Sequence, residues 1–211
     1  MAKILEPALQ DYFNGLCCNN TPPQGLITLT GGVADGLYTD LASAIAWLQT
    51  FTSATITDAS LSGDTFKFTV PAGSDFSLVD GFIKNTAASF SDTDGLVAAF
   101  KASAFVNNSG NNTLGTVTFE GSAFENATGV NTIANILLTN NNHPFAGNYQ
   151  GVMNITGNIG TTEGNDYPNF FPNASGATIN VLASKQTSDG GNIEGDIALA
   201  QTNGATVNFT L

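Results

Sequence analysis

The apolar residues of this chain change period along its length. Around Pro7, which suits a first helical turn, Ile4, Leu5, Leu9, Tyr12, Phe13 and Leu16 recur at helical spacing. They predict a short helical segment within residues 1–25, either packed on its own domain or docking on a protein partner, and Asn19 to Gly25 then break the pattern as a linker. A second helix is predicted over 40–50. Asp40 can cap it, Leu41, Ala44, Ile45 and Leu48 form its apolar stripe, and Trp47 lies beside them. It should end near Thr50-Phe51-Thr52, where β-branched and aromatic residues take over. Beyond that point the period falls towards two. Ala54-Thr55-Ile56-Thr57, Thr65-Phe66-Lys67-Phe68-Thr69-Val70 and Thr116-Val117-Thr118-Phe119 stand between clusters of Gly, Asn, Asp and Ser, the pattern of strands and turns.

The alternation contains an internal repeat. Residues 100–115 align with residues 119–134 at an offset of 19, and eight of the sixteen aligned positions are identical, in the order Phe, Ser, Ala, Phe, Asn, Gly, Asn, Thr. A period near twenty suits stacked coils, in which each coil buries its face only against its neighbours. Phe100 would then lie over Phe119, Phe105 over Phe124 and Asn107 over Asn126, the amides forming a ladder that satisfies its own donors and acceptors. Phe82 and Phe90 before the repeat, and Ile136, Leu138 and Phe145 after it, extend the pattern as degenerate coils. Residues 177–211 read as a separate β cap with strands at 177–182, 192–199 and 205–211. The Asn203-Gly204 pair suggests a tight antiparallel hairpin there.

Composition narrows the function. Only 10% of the residues are charged, with five Lys, no Arg and 17 acids, for a net charge of −12. Nucleic acids and anionic membranes require cationic neutralisation that this chain does not offer. A neutral glycan or a protein partner stays open as ligand. Cys17 and Cys18 are adjacent, too close for an ordinary disulfide with each other, so one interchain bond or two thiols is expected. No apolar run is long enough to span a bilayer, and the first residues lack the apolar stretch of a secretory signal. The expected route is synthesis in the cytosol and incorporation into a virion or other extracellular assembly.

From about residue 31 to 140 the order of elements resembles right-handed parallel β-helix proteins of the pectin-lyase-like kind. The segment running from Gly31-Gly32-Val33-Ala34-Asp35-Gly36 to Ala44-Ile45 is similar to their opening, a Gly-rich strand followed by a capping helix of the Leu-x-x-Ala-Ile type. The resemblance implies an all-β fold: a right-handed parallel β-helix over 26–176 with its capping helix, behind an N-terminal anchoring segment and before an antiparallel C-terminal cap. A jelly-roll or β-sandwich is the alternative. Proteins of this architecture include phage tailspikes, surface adhesins and pectin-degrading enzymes. The low charge and abundant Asn, Thr and Gly fit a phage fibre or capsid-decoration component, a non-catalytic homo-oligomer with a trimer among the options.

Candidate chemistry is sparse. The single histidine, His143, has no Gly-x-Ser-x-Gly nucleophile elbow to serve, and one His with two adjacent Cys falls short of a zinc site. Paired acids, Asp92 with Asp94, Glu120 with Glu125 and Glu194 with Asp196, would be the groups of a glycan-active enzyme, the alternative to a structural role. No organic cofactor is expected. Calcium is the other use of acids on turns, with Asp92, Asp94, Asp189, Glu194 and Asp196 as candidate ligands.

Overall fold

Two parallel ladders, each joining successive coils of the chain edge to edge, organise the protein. The computed structural model describes residues 25–92, 94, 96–138, 148–157, 159–161, 176–181, 186–187 and 205–209. The strands among them are β1 (Gly25–Thr30), β2 (Thr57–Ser62), β3 (Thr65–Val70), β4 (Phe76–Leu78), β5 (Ser89–Asp92), β6 (Val97–Phe100), β7 (Asn112–Phe119), β8 (Val130–Leu138), β9 (Val152–Ile155), β10 (Ile159–Thr161), β11 (Thr178–Val181), β12 (Gln186–Thr187) and β13 (Thr206–Phe209). The first ladder runs β5, β7, β8, β9, β11, β13, every step parallel. The second runs β4, β6, β7, β8, β10, β12, again parallel throughout. Strands β7 and β8 are long enough to serve both. Their pairing sets Thr113 beside Thr132 and Phe119 beside Leu138, which is the 19-residue repeat laid in register. The fold is a β-solenoid of stacked parallel coils with one helix among the described residues.

A third side closes each coil without regular strands. There the Ser103 N–H donates to the Ser122 carbonyl at 2.7 Å, the Phe105 N–H to Phe82 at 2.9 Å and the Asn107 N–H to Glu125 at 2.8 Å. Left-handed backbone recurs at matching positions: Ile83 and Asn85, then Phe105 and Asn107, then Phe124 and Asn126, all with φ between 51 and 58°. Such φ is unfavourable for Ile and Phe. It persists here because the next coil repeats the conformation and the bonds between coils fix it. Gly110, Gly129 and Gly151 stand where coils approach most closely. A Cβ on Gly129 would strike the Gly110 backbone, and one on Gly151 would strike Gly129.

Phenylalanine fills the interior as the repeat predicts. Phe105 and Phe124 stack with ring centroids 4.6 Å apart and planes 3° from parallel, and Phe100 lies over Phe119 at 5.9 Å and 26°. All four are buried, as are Phe82, Phe90 and Ile136 from the flanking coils. The helix α1 (Leu41–Gln49) falls where expected. The Asp40 carboxylate accepts the Ser43 N–H at 2.8 Å while Ser43 Oγ accepts the Asp40 N–H at 3.0 Å, a reciprocal cap. Hydrogen bonding by Ser43, its backbone N–H first, holds the Asp40 carboxyl below its ordinary pKa. Trp47 ties the helix to the solenoid through Tyr38 at 5.5 Å, Phe51 at 5.2 Å and Phe82 at 5.8 Å.

Two expectations change. Antiparallel pairing lies at the other end from the one expected: β1 runs antiparallel to both β3 and β5, whereas β11 and β13 are parallel. The reason is visible in the asparagines. Asn208 donates to Asn180 and Asn180 to Asn154, each at 2.8 Å, a like-on-like column that parallel register supports and a hairpin would break. The Asn203-Gly204 turn and residues 192–199 lie outside the described residues. Second, the strand read at Ala54–Thr57 begins only at Thr57; before it the Ala54 N–H is taken by the Thr52 hydroxyl at 3.1 Å instead of by a neighbouring strand. The parallel coils themselves are the expected solenoid, in place of the alternative jelly-roll. The helical segment within 1–25 and Phe145 lie outside the described residues.

Removing the ring of Phe124 should lower the unfolding free energy by about 3–5 kcal/mol, since it vacates a buried, stacked position. Denaturant titration of Phe124→Ala checks this, and an unchanged midpoint would contradict the stack.

Candidate binding surface

Strand β1 extends the first ladder at its start by antiparallel pairing with β5, and alternation along this row of strands sends every second residue inward and its neighbours out. The inward positions Leu29, Phe90, Asn112, Asn131, Met153 and Ile179 are all buried. The outward residues form two ranks. One runs Thr28, Ser91, Thr113, Thr132, Asn154, Asn180, Asn208, each beside the next in register. The other runs Thr30, Ser89, Asn111, Val130, Val152, Thr178, Thr206. Strand pairing joins Thr30 to Ser89 and Val130 through Val152 and Thr178 to Thr206. Side chains bridge the remainder: Ser89 Oγ accepts the Asn111 N–H at 3.0 Å, and Asn111 Oδ1 accepts the Val130 N–H at 2.9 Å. No charged residue stands in either rank. Lys67, on β3, lies at the margin beside Thr28.

Hydrogen bonds fix the orientation of these side chains. Asn154 donates to the Thr132 hydroxyl at 3.3 Å, and the amide column continues through Asn180 to Asn208. Asn154 and Asn180 each spend one donor and one acceptor on their neighbours and Asn208 spends one donor, which leaves every amide of the column a second N–H for solvent or ligand. The predicted corner ladder forms on the third side: Asn126 donates to Asn107 at 3.1 Å, and Asn107 reaches a further partner, Asn85, at 2.6 Å.

A second polar column lies inside. Asn108 donates to the carbonyls of Thr86 and Ala88, Asn112 donates to Asn108 Oδ1 and Asn131 Oδ1, and Asn131 donates to the Tyr149 hydroxyl. Asn112 Oδ1 also accepts the Phe90 N–H at 2.9 Å. Each amide is buried and bonded, the condition under which interior polar groups specify register without a net penalty. Burial pushes the Tyr149 phenol above its ordinary pKa, with the Asn131 bond opposing in part, and pushes Tyr38 up to about 12, assisted by the Asp64 carboxylate.

The candidate acids occupy structural positions. Asp92 is buried and its Oδ1 accepts the Asp94 N–H at 3.1 Å, while Asp94 Oδ2 accepts the Leu26 N–H at 3.1 Å. Asp64 Oδ1 accepts the Val33 N–H and Asp35 Oδ2 accepts the Ala87 N–H. Glu120 forms an ion pair with Lys101 of the preceding coil, and Glu125 contributes its backbone carbonyl to Asn107. Among the described residues no three His, Cys, Asp or Glu side chains converge on a metal-sized site. Asp189, Glu194, Asp196 and His143 lie outside the described residues, as do Ile4, Leu5, Leu9, Tyr12, Phe13 and Leu16.

The chain matches no protein-family model, no curated protein and no solved structure.

Sequence reasoning found the stacked Phe and the corner asparagines but missed the two outward ranks. Their signal is a triplet with its two outer residues on the outward face that recurs once per strand: Thr28-Leu-Thr30, Ser89-Phe-Ser91, Asn111-Asn-Thr113, Val130-Asn-Thr132, Val152-Met-Asn154, Thr178-Ile-Asn180, Thr206-Val-Asn208.

Asn112→Ala should cost about 1–3 kcal/mol for each buried partner left unpaired, the Phe90 N–H, Asn108 Oδ1 and Asn131 Oδ1, read as a drop in denaturation midpoint. The raised phenols give a second test. Unfolded tyrosine ionises near pH 10. Stability is therefore complete below about pH 10 and declines as pH rises from there towards about 12, because the unfolded state loses its phenolic protons first. Phenolate absorbance followed together with unfolding should show at least two late-titrating tyrosines, Tyr38 and Tyr149. All four titrating together at the ordinary value would contradict the burial of Tyr38 and Tyr149.

Proposed function

We propose that this chain is a non-catalytic structural or adhesion protein that works by presenting the ordered, uncharged face of its solenoid, as a component of a virion, such as a phage fibre or capsid decoration, or of another extracellular assembly. The observation that carries the reading is the pair of outward ranks, Thr28 to Asn208 and Thr30 to Thr206. Seven strands hold small polar and β-branched groups in register there with no charged residue among them. The engagement of Asp35, Asp64, Asp92 and Asp94 with backbone N–H groups supports it too, since acids used as caps are not free to serve as a catalytic pair. We further infer a right-handed coil of the pectin-lyase-like kind, in line with the general hand of parallel β crossovers. Residues 1–25 are read as the anchor to a larger particle, with a homo-oligomer as the working form and a protein or neutral glycan as partner.

Incubated with a panel of polysaccharides, the purified chain should release no reducing ends above buffer. Release abolished by Glu120→Gln or Asp94→Asn would replace this reading with a glycan-active enzyme. Size-exclusion chromatography with light scattering should report an oligomer. A monomer that associates with no particle fraction would count against the assembly role.

A further inference from the structure

The outward face of the first ladder is periodic in two directions. Neighbouring strands in a sheet stand about 4.8 Å apart, and residues two apart on one strand are separated by about 6.7 Å. The Thr28-to-Asn208 rank and the Thr30-to-Thr206 rank therefore make a rectangular net of hydroxyl, amide and methyl groups, seven positions long and two wide. Its members are all short, so none stands far above the others. The rank from Thr132 to Asn208 is held in place by its own side-chain hydrogen bonds, which limits rotamer freedom before any ligand arrives.

The composition of this net restricts its partner. An ionic ligand would call for opposite charge, and neither rank carries any. A sugar ring is commonly held against an aromatic platform, and neither rank contains an aromatic residue. What the net offers is a repeat of hydrogen-bonding groups separated by methyls, on a spacing near that of water oxygens along two perpendicular directions of hexagonal ice. Methyl groups of Thr and Val confine first-layer water, while hydroxyls and the free N–H of each ladder amide fix its positions. Water held in that way can join an ice lattice with little further ordering. A regular solid also matches the length of the array, since every added strand contributes the same contact again.

We infer that the outward face of the first ladder, between Thr28 and Asn208, binds ice. The inference rests on reading the chain as an adhesive surface and names the chemistry of what that surface adheres to.

The test uses the full chain, fluorescently labelled, in a slowly growing ice hemisphere, with thermal hysteresis read in parallel. The wild type should enter the ice and hold a gap between melting and growth. Asn154→Tyr, which puts a bulky ring in the middle of the net, should abolish both. Thr113→Lys, at an exposed position, should do the same by charge. Thr118→Tyr, which points outward from the second ladder, should leave both unchanged. Unfolding midpoints near wild type establish that a variant is folded, and either face variant alone suffices if the other is not. Exclusion of the wild type from ice overturns the inference, and so does entry that both face variants retain. Co-sedimentation with microcrystalline cellulose or chitin is measured on the same proteins. Face-dependent binding to polysaccharide with exclusion from ice would overturn ice as the partner while leaving the adhesive reading standing, and binding to no solid at all would overturn ice as the partner and count against the adhesive reading as well.

Discussion

Parallel in-register pairing between coils is the constraint on which the rest depends. No coil here can satisfy its own backbone, because the groups of each strand point along the solenoid axis towards the coils on either side. A residue is therefore judged by how well it sits on its counterpart one coil away. Planar rings stack, amides bond amides, and glycine is retained where backbones come closest. The same rule allows left-handed Phe105 and Phe124, since strain that recurs at matching positions keeps the bonds between coils intact.

A rule of that kind leaves strong traces in sequence where successive coils have equal length. The 19-residue offset placed Phe100, Phe105 and Asn107 over their partners without coordinates, because like side chains recur at a fixed separation when each must sit on its own kind. The helix was legible for local reasons, a cap at Asp40 and a stripe ending in β-branched residues. The later coils were harder. Asn154 meets Thr132 across 22 residues, Asn180 meets Asn154 across 26 and Asn208 meets Asn180 across 28. With the period drifting, a search at one fixed offset fails, and a parallel strand next to an Asn-Gly pair looks like a hairpin. The outward ranks escaped notice for another reason. Their Thr, Ser and Asn are common throughout this chain, and only register distinguishes a rank from a scatter.

The acids teach a related lesson. Read along the chain, Asp92-Thr-Asp94 has the spacing of a cation loop. In the fold one of those carboxylates is buried at a strand end and the other caps the first strand across 68 residues. Capping accounts for several of the described acids, at places where the solenoid is closed by its antiparallel strands and helix. The ends of a parallel stack expose N–H groups that no further coil takes up, and a carboxylate is the strongest acceptor available for them. The outermost strand on that side, β2, departs from regular pairing between Thr57 and Ser60, with Asp58 at a φ of 52°. A broken, charged rim is a poor template for another chain.

Coil length varies at more than one corner. Val97 lies six positions after Ser91, whereas Thr116, its partner in the next coil, lies three after Thr113, the partner of Ser91. The two ladders also step by different amounts, Thr132 to Asn154 by 22 residues and Ile136 to Ile159 by 23. Register is regained at each following strand all the same, since Val130 pairs with Val152 and Val152 with Thr178. A change of length at a corner is thus absorbed before the next strand begins, and corners are where a solenoid of this design could accept grafted loops, or diverge, without disturbing the outward net.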